Sequence, residues 1–194
     1  MSRVPLDAAN AWDVAAARTL ALEGGLSLDG NDGGNWTGGR PGSGELRGTR
    51  YGISAASYPD EDIQNLTKER ALEIARRDFW DVPGLQALAA IAPAVAVEIF
   101  DIGYNGGATV GIRVLQMATN ILTPAGDPLL AVDGVLGAAT INAVKRERNR
   151  ADLLLAVRAY LLRRYLSIVE TTPRNRHFVR GWLRRAFEPV EGPA

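Results

Sequence analysis

The sequence predicts a mainly α-helical protein that carries one long glycine-rich loop, and three observations predict it. Apolar residues recur at three- and four-residue spacings through most of the 194-residue chain. Ten of the 25 residues from 24 to 48 are glycine, and this stretch has no helical period. Hydrophobic residues make up 46% of the chain, which is enough for one compact domain in one or two lobes.

The first predicted helix covers residues 7–23. Trp12, Leu20 and Glu23 lie on one face of it, so Glu23 falls at the C-terminal end of an apolar stripe. The two glycines that follow end the helix. After the glycine-rich stretch, residues 49–58 predict a short strand or one arm of a β-hairpin.

The sequence predicts helices for the rest of the chain. Thr67 is the predicted N-cap of a helix that runs to about Trp80. An apolar stretch then predicts a buried central helix, with Pro93 in its first turn and its end near Gly106. Glu98 in that helix is expected to be the buried partner of an arginine. Further helices are predicted at about 108–122, 138–149, 150–170 and 175–187.

Composition removes several function classes. Zero cysteines exclude disulfides, thiolate metal sites and cysteine nucleophiles, and the single histidine, His177, argues against a histidine-rich metal site or a serine triad. We see no stretch apolar enough to span a membrane. Asp7 and Asp13 come too early for a signal peptide. We expect a monomer made in the cytoplasm that needs no cofactor or metal and binds no nucleic acid.

Three acids at the start of the loop raise the question of chemistry. Asp29 begins a stretch like a calcium-binding EF-hand loop, but its twelfth position is Arg40 and not a glutamate, so we reject calcium. A phosphate-binding loop fails because no Gly-Lys-Ser/Thr follows the glycines. Glycoside hydrolysis remains, since it needs one carboxylic acid and a second carboxylate. Glu23, with Asp32 or Asp29, could supply that pair.

The surroundings of these acids favour a protonated Glu23 and an ionised aspartate, which is the difference that glycoside hydrolysis requires. A glutamate on an apolar helix face keeps its proton more readily because desolvation disfavours the charged form, while an aspartate in a polar loop stays ionised. The alternative is that Glu23 only ends a helix and the aspartates only solvate a loop.

Several motifs in order carry a family resemblance. The stretches "LEGG", "NDGG", "GTRYGISAASYP", "FDIGYNGG", "VDGVLGAAT" and "GWLRR" resemble those of glycoside hydrolase family 108 lysozymes, from about Leu20 to Arg185. These are phage endolysins and related bacterial muramidases, built from a catalytic segment and a predicted peptidoglycan-binding segment.

The resemblance implies a lysozyme-like fold of two lobes. Residues 1–81 would form the catalytic lobe, and residues 82–194 a helical lobe resembling a peptidoglycan-binding segment. The implied reaction is hydrolysis of the β-1,4 bond between N-acetylmuramic acid and N-acetylglucosamine in peptidoglycan glycan strands. We expect a phage endolysin that reaches the cell wall after holin-type or dedicated release.

The resemblance also implies roles for individual residues. Glu23 matches the catalytic acid, and Asp32, nine positions on, would be the second carboxylate. Thr49 would hold the attacking water. Because the loop is longer here than in shorter family members, Thr37 competes with Thr49 and Asp29 competes with Asp32.

Four further residues are candidates for substrate binding. Trp36 and Tyr51 could stack on sugar faces, although aromatic residues more often belong to a core. Asp101 and Asn105 lie four apart on one face of the central helix. They are either a satisfied polar pair or helix-end cap, or Asn105 lines the cleft floor and binds an N-acetyl group.

Two other functions compete with hydrolysis. A lytic transglycosylase can work with one glutamate and releases a 1,6-anhydro sugar without using water. A non-catalytic cell-wall binding or secretion-associated module would need no intact site. The presence of Glu23 argues against the module, and Asp32 with Thr49 favours hydrolysis over transglycosylation.

Charge is unevenly distributed in a chain with net charge zero. Residues 145–185 hold twelve Lys and Arg and only three acids, which leaves ten bases and nineteen acids elsewhere. The excess could mark the solvated faces of two amphipathic helices. The alternative is electrostatic contact with the anionic cell envelope.

Overall fold

The computed structural model describes residues 4–22 and 25–192; for residues 20–22 and 174 it describes the backbone alone. Within these ranges the chain is mainly α-helical with one two-stranded antiparallel sheet, so the predicted fold class is confirmed. None of the described helices is both long and apolar enough to cross a membrane. In chain order the α-helices are α1 Ala11–Leu22, α2 Lys68–Ala75, α3 Leu85–Ala89, α4 Pro93–Gly106, α5 Ala108–Leu122, α6 Ala138–Arg146, α7 Arg150–Thr171 and α8 Val179–Phe187.

Shorter elements complete the description. Strands β1 (Thr49–Arg50) and β2 (Ile53–Ser54) form the small sheet. Short 3₁₀ helices cover Gly33–Asn35, Ile63–Asn65 and Pro173–Phe178, and a π-helical turn, Arg76–Asp81, follows α2.

The chain divides into two compact units. We call Ala16–Asp78 the loop unit, and the residues before Ala16 together with those from Phe79 onward the helical unit. The assignment of catalytic and peptidoglycan-binding roles to residues 1–81 and 82–194 stays a prediction.

Most helix boundaries agree with the sequence, and the differences have local causes. The first helix begins at Ala11 and not at residue 7, because the Asp7 carboxylate accepts hydrogen bonds from the backbone N–H groups of Ala9 and Asn10 and forms a turn. The N-cap prediction is confirmed, since Thr67 Oγ1 accepts from the Arg70 N–H at 3.1 Å.

The central apolar stretch forms two helices. Ala92 separates α3 from α4 with φ −152°, and a residue before proline is disfavoured from helical geometry. Pro93 begins α4 as predicted, and Gly107 ends it with φ +98°. All residues from Val95 to Tyr104 are buried, which confirms a buried central helix.

Aromatic rings pack around the middle of α4. The Phe100 ring lies 5.5 Å from that of Trp12, 6.0 Å from that of Trp80 and 5.7 Å from that of Tyr104, centroid to centroid. Each such pair contributes about 0.5–1.5 kcal/mol beyond the buried area. This cluster forms the apolar centre of the helical unit.

Two buried ion pairs join α4 to later helices. Glu98 is fully buried and accepts from Arg158 of α7 at 3.2 Å, which confirms the expected arginine partner. Asp101 accepts two hydrogen bonds from Arg185 of α8, at 2.7 and 2.8 Å. A buried carboxylate needs such a partner because its uncompensated burial is costly.

The "VDGVLG" stretch is a glycine-containing turn before α6. Gln116 of α5 is buried beneath it; its Nε2 donates to Asp133 Oδ1 at 2.7 Å and its Oε1 accepts from the Gly134 N–H at 2.9 Å. The hydrogen bond from Gln116 lowers the pKa of the Asp133 carboxyl. Gly134 has φ +80°, and a Cβ there would lie 2.4 Å from a Thr109 methyl carbon, so the turn requires glycine.

Replacing Arg185 with methionine is expected to lower the free energy of unfolding by about 3–5 kcal/mol, since Asp101 would stay buried without its partner. The matched control is Arg184→Met, at the exposed neighbouring position, which should change it by less than about 0.5 kcal/mol. Urea unfolding measures both, and equal effects would contradict a structural role for the pair.

Candidate active site

Backbone pairing holds the glycine-rich loop against the small sheet. Ser27 and Thr49 exchange two backbone hydrogen bonds of 2.8 and 3.0 Å, and Trp36 pairs with Leu46 in a second bridge. At Gly48, which has φ +89°, an added Cβ would lie 2.4 Å from the Ser27 carbonyl oxygen. The loop therefore returns to its own start with close backbone contacts.

A buried asparagine connects the segments of this loop. Asn35 is fully buried, its Nδ2 donates to the Asp29 carbonyl at 2.9 Å, and its N–H donates to the Asp32 carbonyl at 3.1 Å. Its own carbonyl accepts from the N–H groups of Arg47 and Gly48 at 3.0 and 2.9 Å. Both candidate aspartates are thus held by one residue.

The two loop aspartates have similar surroundings. Asp32 Oδ1 accepts from the Gly34 N–H at 2.9 Å and caps the short helix at Gly33. Asp29 Oδ1 accepts from both the backbone and the side chain of Asn31. Both are exposed, and the second oxygen of each has no hydrogen-bond partner within the described ranges. Either could therefore orient a water molecule.

The two threonines differ clearly. Thr37 Oγ1 accepts from the Glu45 N–H at 2.9 Å, and a Cβ at Gly44 would clash with it, so this hydroxyl holds the loop together. Thr49 is half-buried in β1, and its hydroxyl has no partner among the residues that the structure describes. Of the two, Thr49 has the hydroxyl available for a water or a substrate.

Tyr51 occupies a strained hairpin turn. β1 and β2 are joined by Tyr51 and Gly52, with φ of +51° and +79°, as in a two-residue turn with both residues left-handed. Tyrosine rarely adopts positive φ, and such strain clusters at functional sites. The Arg50 guanidinium lies 5.4 Å from the centre of the Tyr51 ring.

Trp36 lies half-buried at the end of the short helix in the loop. Its Nε1 donates to the Gly30 carbonyl at 3.0 Å. This bond fixes the indole against the loop, and its use as a sugar-stacking surface stays a prediction.

The remaining candidates lie on α4 in the helical unit. Asp101 is buried with both carboxylate oxygens bound to Arg185, a partner that does not belong to the predicted Asp101–Asn105 pair. Asn105 is exposed, and its Nδ2 donates to the Asp101 carbonyl at 2.7 Å. Substrate contact by either residue stays a prediction.

The loop unit therefore contains Asp29, Asp32, Trp36, Thr37, Thr49 and Tyr51, while Asp101 and Asn105 belong to the helical unit. The predicted acid, Glu23, lies outside the described residues. Among the described side chains, no group of three or more His, Cys, Asp or Glu could hold a metal ion.

The loop unit also has a pocket of about 330 Å³ that the sequence did not predict. None of the predicted site residues lines it. Arg47 lines the pocket, and its guanidinium contacts the Glu45 carboxylate at 2.7 Å and the Pro59 carbonyl at 2.7 Å. The guanidinium that Arg47 presents to this pocket is thus already bound to groups of the loop unit.

Sequence reasoning missed the residues that position the candidates. Asn35 organises the loop, but nothing in its sequence surroundings distinguishes it from a solvated loop asparagine. In the sequence Arg158 and Arg185 are distinguished only as members of the basic segment, since their acidic partners lie far away in sequence.

Comparison with known proteins identifies the class of protein to which this chain is similar. Residues 16–107 match the family described as glycosyl hydrolase 108, and residues 110–187 match a predicted peptidoglycan domain. A solved structure of SagA from Brucella abortus is 19% identical, with a TM-score of 0.66 over 92% of this chain and 90% of that chain, which shows a shared fold. No curated protein matches this sequence.

The chain is therefore a glycoside hydrolase that acts on peptidoglycan. More particularly, its first segment matches the glycosyl hydrolase 108 family and its second matches a predicted peptidoglycan domain, so the family resemblance is confirmed.

Paired substitutions test the loop residues. We expect Asp32→Asn and Thr49→Val to lower the rate of peptidoglycan digestion by about 10²-fold or more, since each loses a group that could act on water. Asp29→Asn and Thr37→Val should retain digestion within severalfold, although Thr37→Val leaves the Glu45 N–H without its acceptor. Turbidity loss of isolated sacculi measures the rates, and the reverse ranking would transfer the role to Asp29 or Thr37.

Proposed function

We propose that the protein is a muramidase that hydrolyses the β-1,4 bond between N-acetylmuramic acid and N-acetylglucosamine. The observation that carries the proposal is the glycosyl hydrolase 108 match, which spans the three candidate catalytic residues. The available Thr49 hydroxyl and the second oxygen of Asp32 support water as the acceptor. The family resemblance also supports a phage endolysin that reaches the wall after holin-type or dedicated release.

In this mechanism Glu23 protonates the glycosidic oxygen as the bond to the anomeric carbon breaks. Positive charge then develops on the sugar ring, and a second carboxylate stabilises it or activates water. Asp32 takes that second role, and the Thr49 hydroxyl holds the water. The water oxygen bonds to the anomeric carbon and its proton leaves to a carboxylate.

Glu23→Gln tests the acid. The amide cannot donate a proton to the leaving oxygen, so we expect digestion to fall by about 10²–10⁴-fold with the fold and sugar binding retained. Circular dichroism and sacculus binding provide the controls. Digestion near the wild-type rate by a folded Glu23→Gln protein would remove Glu23 from this role.

The products test the acceptor. If water is used, mass spectrometry of digested sacculi should show fragments that end in reducing N-acetylmuramic acid. A lytic transglycosylase would instead give 1,6-anhydro fragments, because the sugar's own 6-hydroxyl takes the place of water. A digest dominated by anhydro products would replace hydrolysis with that reaction.

The basic C-terminal segment supports an additional electrostatic contact with the anionic envelope. Arg158 and Arg185 face buried acids, so they do not contribute to an outer surface. Arg176, Arg180 and Arg184 are exposed along the last two helical elements. The alternative is that these arginines only solvate that face.

Binding to sacculi should therefore weaken as salt is added, because exposed charges are screened over about 8 Å at physiological ionic strength. Changing Arg174, Arg176, Arg180 and Arg184 together to serine should weaken binding while activity on small soluble oligosaccharides persists. A pelleting assay at several salt concentrations measures this. Salt-independent binding that the variant leaves unchanged would support solvation alone.

A further inference from the structure

A second pocket lies within the helical unit, between the C-terminal end of α4 and helices α7 and α8. Its volume is about 170 Å³. None of the described catalytic candidates of the loop unit lines it. The residues that give it its chemistry are Asn105, Gly106, Arg164, Tyr165, Trp182 and Arg185.

The pocket carries one unbalanced positive charge. Arg185 is half of a buried pair, since both Asp101 oxygens bind it at 2.7 and 2.8 Å. Arg164 is exposed, and within the described part of the chain its guanidinium has no hydrogen-bond or ion-pair partner. No acidic side chain lines the pocket. An anion is therefore the ligand class that its charge favours.

The position of Arg164 is defined by the end of α4. Its Nη2 would lie 3.6 Å from a Cβ added at Gly106, so the guanidinium lies beside the last turn of that helix. Helix C-termini favour cations, because the helix dipole is negative there. A guanidinium in this place can bind a carboxylate through two parallel hydrogen bonds.

A neutral acceptor lies in the same pocket. Asn105 Nδ2 donates to the Asp101 carbonyl at 2.7 Å, and this partner fixes which end of the amide is the NH₂ group. The amide oxygen of Asn105 is left as an acceptor for an N–H of a ligand. The pocket thus offers a cation for a carboxylate and an acceptor for an amide.

Aromatic rings form the apolar wall. The Tyr165 and Trp182 rings stack with centroids 5.0 Å apart, and Phe178 stacks on Trp182 at 5.8 Å. Burial raises the pKa of Tyr165 to about 12, so its hydroxyl keeps its proton at neutral pH and adds no negative charge. These contacts fix the indole within the protein.

The size limits the ligand to one small group. Pockets for drug-sized ligands span roughly 300–1,000 Å³, and this pocket is smaller. A residue with a free carboxylate, an amide N–H and a small side chain fits these features. The stem peptide of peptidoglycan ends in such a residue, D-alanine, whereas the glycan is uncharged once its lactyl groups are joined to peptides.

We propose that this pocket binds the C-terminal D-alanine of a peptidoglycan stem peptide. Arg164 binds the carboxylate, Asn105 accepts the amide N–H, and Trp182 contacts the methyl group. The proposal rests on the proposed function for its choice of polymer. It gives the helical unit a peptide subsite, so that the enzyme binds strands that still carry their peptides.

The test uses a probe without a glycosidic bond. N-acetyl-D-alanyl-D-alanine and its C-terminal amide are titrated into the full chain, and binding is followed by NMR chemical shifts. We expect the acid to bind at least about tenfold more tightly than the amide, since a charge-assisted pair is lost in the amide. Arg164→Gln should abolish this preference.

Arg163→Gln is the matched control, because Arg163 is the exposed neighbour on α7 and does not line the pocket. It should keep the preference, and Arg164→Lys should keep part of it. Thermal unfolding checks that each variant is folded. Equal binding of acid and amide by the wild-type chain, or an unchanged preference in folded Arg164→Gln, would overturn the proposal.

The experiments distinguish a failure of the peptide-subsite proposal from a failure of the proposed muramidase function. Peptide binding without any digestion of sacculi would remove the muramidase and leave the peptide subsite. Digestion of sacculi by a chain that binds acid and amide equally would remove the subsite and leave the muramidase.

Discussion

The loops of this protein depend on two buried carboxamides, one in each compact unit. An unpaired polar group costs free energy in the interior; both ends of the Gln116 amide are bound, whereas the buried Oδ1 of Asn35 has no hydrogen-bond partner within the described residues. The side chain of Asn35 donates to the Asp29 carbonyl and its backbone carbonyl accepts from Arg47 and Gly48, while the Gln116 side chain binds Asp133 and Gly134 in the turn before α6. The contacts of these two residues join chain segments that have little secondary structure of their own, so these segments still have defined paths.

The helices could be predicted from the sequence, since their period and their end signals are local. Pro93 and Thr67 lie at the helix starts where the sequence places them. The errors occur where a side chain competes with the helix, as at Asp7, or where a proline restricts the residue before it, as at Ala92. Periodicity gave no indication of the π-helical turn after α2.

For the candidate site, the sequence predicts which chemical groups are present but not which of them are left without a partner in the fold. Acids and hydroxyls are visible in a sequence, and the family motifs select among them. Which hydroxyl is available is a property of folding: Thr37 is used by the Glu45 N–H, which lies eight residues away across the loop. The partners of Glu98 and Asp101 lie 60 and 84 residues away, so no local pattern could identify them.

A fixed backbone combined with available side-chain oxygens is what a water-positioning site requires. The Asp32 carbonyl is held by Asn35 and one of its carboxylate oxygens by Gly34, while Thr49 is held through its backbone by Ser27. Their remaining oxygens face no described partner, so they can bind water or substrate without first breaking a contact. Catalysis benefits from such preorganisation, because the groups need not reorganise as charge develops. Tyr51 is likewise held in one conformation: the turn has only two residues, and it keeps Tyr51 at a positive φ that glycine or asparagine would adopt more easily.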